Sequence, residues 1–305
     1  MFRRFLSYYK PQMGLFVADT ICALVLAAID LAFPIILRNL TGGLFTQGQA
    51  AIMQALGIIA VGLVLMYAIR CACRYFVSYW GHVMGARMES KMREDLFDQY
   101  ERFSFAYFDR NSSGDMMSRV VNDLFDICEA AHHVPEWIII CGIEIIGSFV
   151  ILFTIAPVLA LAMAVVTAAF AVIMFWQNMR MREVFSDNRK KISGINAQLQ
   201  DSLAGMRVVK SFANEQTERS KFRASNNRYL SSKENMYHAM GVYTATYGLL
   251  SGVLYVIVVL LGGWLVAQGQ LQAVDMATFA LYISLFCTPL ETLVNSAETY
   301  QKAIA

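Results

Sequence analysis

Long uncharged runs alternate along this chain with two blocks of charge. Residues 39–69, 145–179 and 239–274 contain no Lys, Arg, Asp or Glu, whereas residues 87–129 and 180–234 hold most of the charges. A membrane-spanning helix needs about 20 predominantly apolar residues, and these runs meet or exceed that length. The layout therefore predicts a polytopic membrane protein whose helices continue beyond the bilayer into the charged blocks.

Composition supports this class and excludes others. Hydrophobic residues make up 57% and charged residues 16% of the 305 positions, against roughly 45–50% and about 25% in soluble proteins. The net charge of +2 is too small to indicate a nucleic-acid partner, and none is expected. The six cysteines show neither metal-ligand spacing nor a disulfide framework, so we expect free thiols and no metal site.

Six membrane-spanning helices are predicted, so the expected fold class is an all-α membrane protein with long helical extensions. The uncharged run 145–179 would be roughly 50 Å long as one helix, and Pro157 lies where a break is needed. The predicted spans are about residues 13–37, 52–78, 134–155, 158–179, 239–266 and 276–295. A short amphipathic elbow helix at residues 1–11 is expected in the membrane surface before the first span.

The distribution of Lys and Arg predicts the orientation. The three predicted outer turns contain neither residue, whereas the N-terminus and both charged blocks contain nearly all of them. Positive charge is retained on the cytoplasmic side of a membrane. We therefore expect an integral protein of a bacterial plasma membrane, in contact with its lipids, with the N-terminus and the long loops in the cytoplasm.

The charged blocks predict long amphipathic helices that continue the second and fourth spans. Met88, Met92 and Leu96 recur at helical spacing on one face of the first extension, while Glu89 and Arg93 are spaced to pair on another face. Each extension ends in a polar break. The two hairpin tips are predicted at about residues 104–123 and 207–222.

Turn and capping residues predict the local structure of the tips. Residues 109–114 form a polar turn, and a new helix is expected to begin at Asp115. In the second tip, residues 213–218 are expected to interrupt two helical stretches.

The tips carry motifs that resemble those of the transmembrane domain of ATP-binding cassette (ABC) exporters. The first reads Tyr107-Phe108-Asp109, Gly114-x-x-x-Ser118-Arg119 and Asn122-Asp123. The second runs from Asp201, where the family usually has Glu, through Gly205 to Phe212, followed by Glu215 and Phe222. The resemblance covers essentially the whole chain, with both motifs in order at the ends of two long hairpins.

The resemblance implies a helix-swapped dimer with a second transmembrane chain, identical or paralogous. It also implies two nucleotide-binding domains that carry ATP and Mg²⁺, alternating access, and export of amphipathic, lipid-like, drug-like or peptide substrates. The residues it implies for coupling to those domains are Asn111, Ser112, Ser113, Gly114, Asp115, Met116, Met117, Phe212, Ala213, Asn214, Glu215, Gln216, Thr217 and Glu218.

No phosphate-binding loop of the form Gly-x-x-x-x-Gly-Lys-Ser/Thr occurs in the chain. We therefore expect no catalytic residue and no cofactor here. ATP hydrolysis is expected either on a further part of a longer polypeptide or on a separate subunit, and only the complete transporter would be an ATP-hydrolysing translocase.

Ionisable residues inside predicted spans are the candidates for substrate contact, because burying charge in a bilayer is costly. The candidates are Glu144, Arg70, Arg74, Asp30, Arg38 and Glu291. Glu144 lies near the middle of the third span and is hypothesised to line an inward-facing cavity. Alternatively, the arginines extend to lipid headgroups or pair with Glu144 or Glu291.

Two other functions remain open at this point. An importer with the same fold is compatible with the sequence. So is a passive or regulatory membrane protein without an ATPase, although no ring of charge or filter-like loop favours a channel.

Overall fold

The structure, a computed structural model, describes residues 7–304, with the backbone alone for Asp115, Asp126, Ala130, His132 and residues 295–304. The helices are α1 (Met13–Gly42), α2 (Gln49–Glu101), α3 (Phe105–Arg110), α4 (Ser113–Ser118), α5 (Leu124–Ile155), α6 (Pro157–Ala204), α7 (Met206–Ser211), α8 (Glu215–Ile257), α9 (Gly263–Ala267) and α10 (Ala273–Ile304). Short 3₁₀ turns lie at Lys10–Gln12 and Leu44–Thr46, and π-helical turns at Arg119–Asp123 and Val258–Gly262.

Six helical segments of the described chain are long and apolar enough to cross a membrane, judged by length and composition. They are Lys10–Thr46, Gln49–Glu101, Met116–Ile155, Pro157–Ala204, Glu215–Ala267 and Ala273–Val294. No strand occurs among the described residues. The predicted all-α fold with six apolar helices is therefore confirmed.

The connections between these helices contain residues that suit turns. Gly48 (φ 91°) precedes α2, and Gly269 (φ 74°) lies between α9 and α10. Ala156 adopts an extended conformation between α5 and α6, and Pro157 occupies the first position of the new helix, where its missing N–H is tolerated. The break at Pro157 therefore splits one uncharged run into two helices.

The predicted extensions are continuous helices. α2 contains 53 residues, which is about 80 Å at 1.5 Å per residue and far more than a bilayer requires. α6 contains 48 residues. Both helices therefore continue well beyond the length of a span.

The chain divides into two compact units. The first comprises Met1–Ala164 with Leu254–Ala305, and the second comprises Val165–Val253.

In the first unit, α10 packs most extensively against α5. Phe279, Tyr282 and Phe286 of α10 are completely buried. The Phe286 ring lies 4.8 Å from that of Phe149 in α5, and the Tyr282 hydroxyl donates a 2.5 Å hydrogen bond to the carbonyl of Leu31 in α1. Aromatic contacts therefore hold α10 to its neighbours.

The apolar stripe predicted on α2 is buried against the beginning of α5. Met88 and Met92 pack with Leu124 and Cys128, and Tyr9 joins the same cluster. The Tyr9 hydroxyl donates a 2.7 Å hydrogen bond to the carbonyl of Ala131. Tyr9 of the predicted elbow helix is thus buried in protein rather than turned to lipid; residues 1–6 of that prediction lie outside the described residues.

The second unit contains parts of α6 and α8 joined by polar contacts. Gln177 donates to Thr246 at 2.9 Å, Ser232 donates to Asp187 at 3.2 Å, and Ser202 donates to Glu218 at 2.8 Å. Hydrogen bonds between side chains therefore connect the two helices along the length of this unit.

Candidate transport cavity and coupling tips

A cavity of about 560 Å³ lies in the first unit, lined by residues of α2, α5 and α10. Trp137, Ile140 and Leu285 contribute apolar surface, while Arg74 and Glu144 contribute opposite charges. A cavity with this mixed lining suits a ligand that combines an apolar body with a polar or charged group.

Four of the six charged candidates come together beside this cavity. Asp30 of α1 forms a bidentate ion pair with Arg70 of α2, with distances of 2.8 Å to Nε and 3.2 Å to Nη2. Arg74, one helical turn further along α2, and Arg70 are both within electrostatic range of Glu144, as is Asp30. The Arg70 guanidinium is thus paired with Asp30, and it is Arg74 and Glu144 that line the cavity.

Arg38, a further candidate, forms an ion pair away from the cavity. Its Nε donates to Oδ1 of Asp275 at 2.5 Å, and the Asp275 side chain is only 5% exposed. This ion pair joins α1 to the start of α10. Arg38 therefore pairs with neither Glu144 nor Glu291 in this structure, and it does not line the cavity among the described residues.

Asp275 was not among the candidates that the sequence suggested. It also accepts a 3.0 Å hydrogen bond from the backbone N–H of Gln272, the residue just before α10, as an acidic residue three positions into a helix often does. An acid in the first turn of a helix, directly after the uncharged connection at residues 268–272, was the available signal. Glu291, by contrast, is half-buried on α10 and is not among the described residues that line the cavity.

The first tip folds as two short helices, α3 and α4. Asn111 ends the first of them, and its Nδ2 donates to the carbonyl of Tyr107 at 2.8 Å. Ser112 Oγ accepts from the N–H of Gly114 at 3.1 Å, so α4 begins at Ser113, two residues before the predicted start. Phe105 remains 91% exposed.

The coupling candidates of this tip lie within α4 and directly before it. Asn111 and Ser112 precede it, and Ser113 to Met117 lie within it. Met117 is exposed, while the side chain of Asp115 lies outside the described part of the chain.

The second tip is tighter than predicted. Gly205 separates α6 from α7, which runs to Ser211, and residues 212–214 form a second break in which Ala213 adopts a positive φ of 48°. Glu215 already begins α8, so Gln216, Thr217 and Glu218 form its first turn. Phe212 is 79% exposed.

Glu218 links the two sides of this tip. Lys221 donates to its Oε1 at 2.8 Å, and Ser202 of α6 donates to its Oε2 at 2.8 Å. These bonds, that from Lys221 first, lower the pKa of Glu218, because they favour the charged carboxylate. The carboxylate therefore helps to hold the start of α8 against the end of α6.

Comparison with known proteins agrees with this architecture. A family model described as the ABC transporter transmembrane region matches residues 16–290. The uncharacterized ABC transporter ATP-binding protein YwjA of Bacillus subtilis (strain 168) is 32% identical over 305 residues, which is 100% of this chain and 52% of that protein.

Two further relatives carry more informative names. The putative multidrug export ATP-binding/permease protein YgaD of the same strain is 22% identical over 308 residues, covering 99% of this chain and 53% of that protein. An ATP-dependent lipid A-core flippase of Syntrophus aciditrophicus (strain SB) is 22% identical over 312 residues, covering 100% and 50%. The chain spans about half the length of the curated relatives it matches. With six apolar helices, two extended hairpins and a family match over most of its length, this integral membrane protein belongs to the ABC transporter transmembrane family.

Proposed function

We propose that this chain is the transmembrane domain of an ATP-driven exporter that moves amphipathic, lipid-like, drug-like or peptide substrates by alternating access. Membership of the family supports the ATP-driven part of the proposal. The names of two relatives, a multidrug export protein and a lipid A-core flippase, support export and an amphipathic substrate.

The observation that carries the proposal is the exposure of aromatic side chains at both tips. Phe105 and Phe212 lie at the ends of helical extensions, and each exposes most of its surface. Large exposed apolar side chains outside the lipid-facing stretches mark interaction sites. The partners we infer are nucleotide-binding domains that hold ATP and Mg²⁺ and that dock at the cytoplasmic ends of the two hairpins.

A second transmembrane chain, identical or paralogous, is the other partner we infer. Trp176 and Leu249 in the second unit are highly exposed, as are many of their apolar neighbours. In a membrane such surface contacts either lipid or another helix. A dimer in which α6 and α8 pack against the partner chain is consistent with their grouping in a separate compact unit.

The charge pair at the cavity sets the substrate class that we propose. Glu144 and Arg74 line the cavity together with apolar side chains such as Trp137 and Leu285, so an amphiphile would place its polar head near the two charges. The low dielectric of the site strengthens their electrostatic interactions with a charged head group.

Docking is tested by measuring substrate-stimulated ATP turnover in the transporter assembled with its nucleotide-binding domains. Phe212→Ala is expected to reduce stimulation at least about tenfold, since buried aromatic anchors commonly contribute more than about 1.4 kcal/mol to an interface. Phe97→Ala is the matched control, because Phe97 is an exposed aromatic residue of α2 outside the tip. Full stimulation in both Phe212→Ala and Phe105→Ala would contradict the proposal.

The substitution Glu144→Gln tests whether Glu144 binds substrate in the cavity. We expect the affinity for cationic amphiphiles to fall about tenfold, because a hydrogen bond to a charged group contributes about 1.5–3 kcal/mol, while the affinity for neutral amphiphiles changes little. Glu291→Gln is the matched control for a carboxylate elsewhere in the membrane region. Equal affinities of the Glu144→Gln and unmodified proteins for several cationic substrates would exclude Glu144 from substrate binding.

A further inference from the structure

A cluster of metal-ligating side chains lies at one end of the cavity. His82 of α2 and Glu129 and His133 of α5 bring one ligand atom each to within 4.8 Å of one another. His82 and His133 also line the cavity. We propose that these three residues bind a first-row divalent transition metal ion such as Zn²⁺, a site that sequence spacing did not predict because its ligands come from two helices.

The His82 ring is oriented for metal binding by its own helix. Its Nδ1 lies 2.6 Å from the carbonyl oxygen of Ser78. A carbonyl oxygen only accepts hydrogen bonds, so Nδ1 carries the proton and the lone pair of the neutral ring lies on Nε2. Metal-binding histidines are commonly held in this way, with one nitrogen donating to a carbonyl and the other turned to the metal.

The His133 ring lies between two carboxylates. Its Nε2 is 3.3 Å from Oε2 of Glu129, and its Nδ1 is 3.8 Å from Oε2 of Glu136. The ring also stacks on Trp137 at 4.9 Å. A metal ion between His133 Nε2 and Glu129 would leave Glu136 to accept the Nδ1 proton, which is the carboxylate–histidine–metal arrangement.

Asp19 of α1 adds negative charge beside the cluster. It is 5% exposed, and Glu136, His133 and His82 all lie within its electrostatic range. Its Oδ1 is buried, and no hydrogen-bond partner for it is found among the described residues. Three carboxylates around two imidazoles favour a bound cation.

The ligand set indicates which kind of ion fits. Two imidazole nitrogens and one carboxylate oxygen suit Zn²⁺ and similar ions, whereas Mg²⁺ and Ca²⁺ prefer oxygen alone. A tetrahedral ion with bonds of about 2.0–2.2 Å places its ligands about 3.4 Å apart. The ligand atoms that lie farthest apart therefore need to approach by up to about 1.4 Å through side-chain rotation. Three protein ligands leave a fourth position for water or another ligand.

Bound metal would tie α2 to α5 at the end of the cavity. The contact between the His82 and His133 rings, 5.1 Å apart, would become a coordinate link between the two helices. A bound metal ion would therefore restrict any separation of these two helices. This metal-binding property is separate from the proposed export function and does not depend on it.

The test is a titration of the purified, chelator-treated full chain in detergent with Zn²⁺ by calorimetry and with Co²⁺ by visible absorption. We expect one ion per chain. His82→Gln and His133→Gln are each expected to weaken binding at least about tenfold, since loss of even a residue that supports a ligand weakens binding about 10–100-fold. His238→Gln, a change in α8 within the second unit, is expected to leave the affinity unchanged.

A variant that gains a spectroscopic signal distinguishes loss of a metal ligand from misfolding of the chain. His82→Cys supplies a thiolate in place of imidazole and is expected to keep Zn²⁺ binding while adding a near-ultraviolet sulfur-to-cobalt band. Absence of saturable Zn²⁺ binding by the unmodified chain would overturn the proposal. So would equal Zn²⁺ affinity in the double variant His82→Gln/His133→Gln and in the unmodified chain.

Discussion

Asp275→Ala is expected to lower the free energy of unfolding by about 3 kcal/mol. The substitution removes the acceptor for the backbone N–H of Gln272 at the start of α10, a helix cap that contributes about 1 kcal/mol. It also removes the partner of Arg38, and a hydrogen bond between charged groups contributes about 1.5–3 kcal/mol. The measurement is denaturant unfolding in detergent, followed by circular dichroism.

Two further variants separate these effects. Asp275→Asn keeps an acceptor for Gln272 but removes the charge, so it should lose about 2 kcal/mol. A double-mutant cycle with Arg38→Met isolates the ion pair, and we expect a coupling energy of at least about 1.5 kcal/mol. A coupling energy near zero would show that the 2.5 Å contact contributes nothing to stability.

Phe286→Ala is expected to destabilise the chain by about 2–3 kcal/mol. Phe286 is fully buried between α10 and α5, and Phe→Ala in soluble cores costs roughly 3–5 kcal/mol. We expect a smaller value here because helices that separate within a membrane expose this ring to lipid rather than to water. The hydrophobic contribution to the free-energy loss is therefore reduced, whereas the contribution from lost packing remains. The same unfolding assay measures it.

Phe153→Ala is the matched control in the α5–α10 region. Phe153 lies on α5 but is exposed, so its truncation should change the free energy of unfolding by less than about 0.5 kcal/mol. Equal destabilisation by both substitutions would mean that Phe286 does not stabilise the chain through the α5–α10 interface.

Helix periodicity and uncharged length predicted the main elements of this fold. The break at Pro157, the continuation of α2 into the first charged block and the buried Met88–Met92 stripe follow from local physical rules. A helix needs only its own backbone hydrogen bonds to cross a bilayer. Hydropathy alone therefore indicates the spans, whereas the exact start of a tip helix such as α4 depends on a capping contact, here that of Ser112.

The pairing of charged side chains could not be predicted in the same way. Arg38 and Asp275 are far apart in the sequence, and no periodicity relates them. Spacing placed Arg70 and Arg74 on one face, but which acid each one meets depends on how α1 and α5 are packed around α2. The burial of Tyr9 was missed for the same reason, because its amphipathic pattern fits a protein core as well as it fits lipid.

The length of α2 has a mechanical consequence. A rigid rod of about 80 Å that tilts by about 5° around one end moves its other end by roughly 7 Å. Sub-ångström rearrangements of side chains near the pivot thus become displacements at the far end as large as a helix radius. Conversely, a force applied at that end acts with a long arm on the part of α2 that carries Arg70 and Arg74.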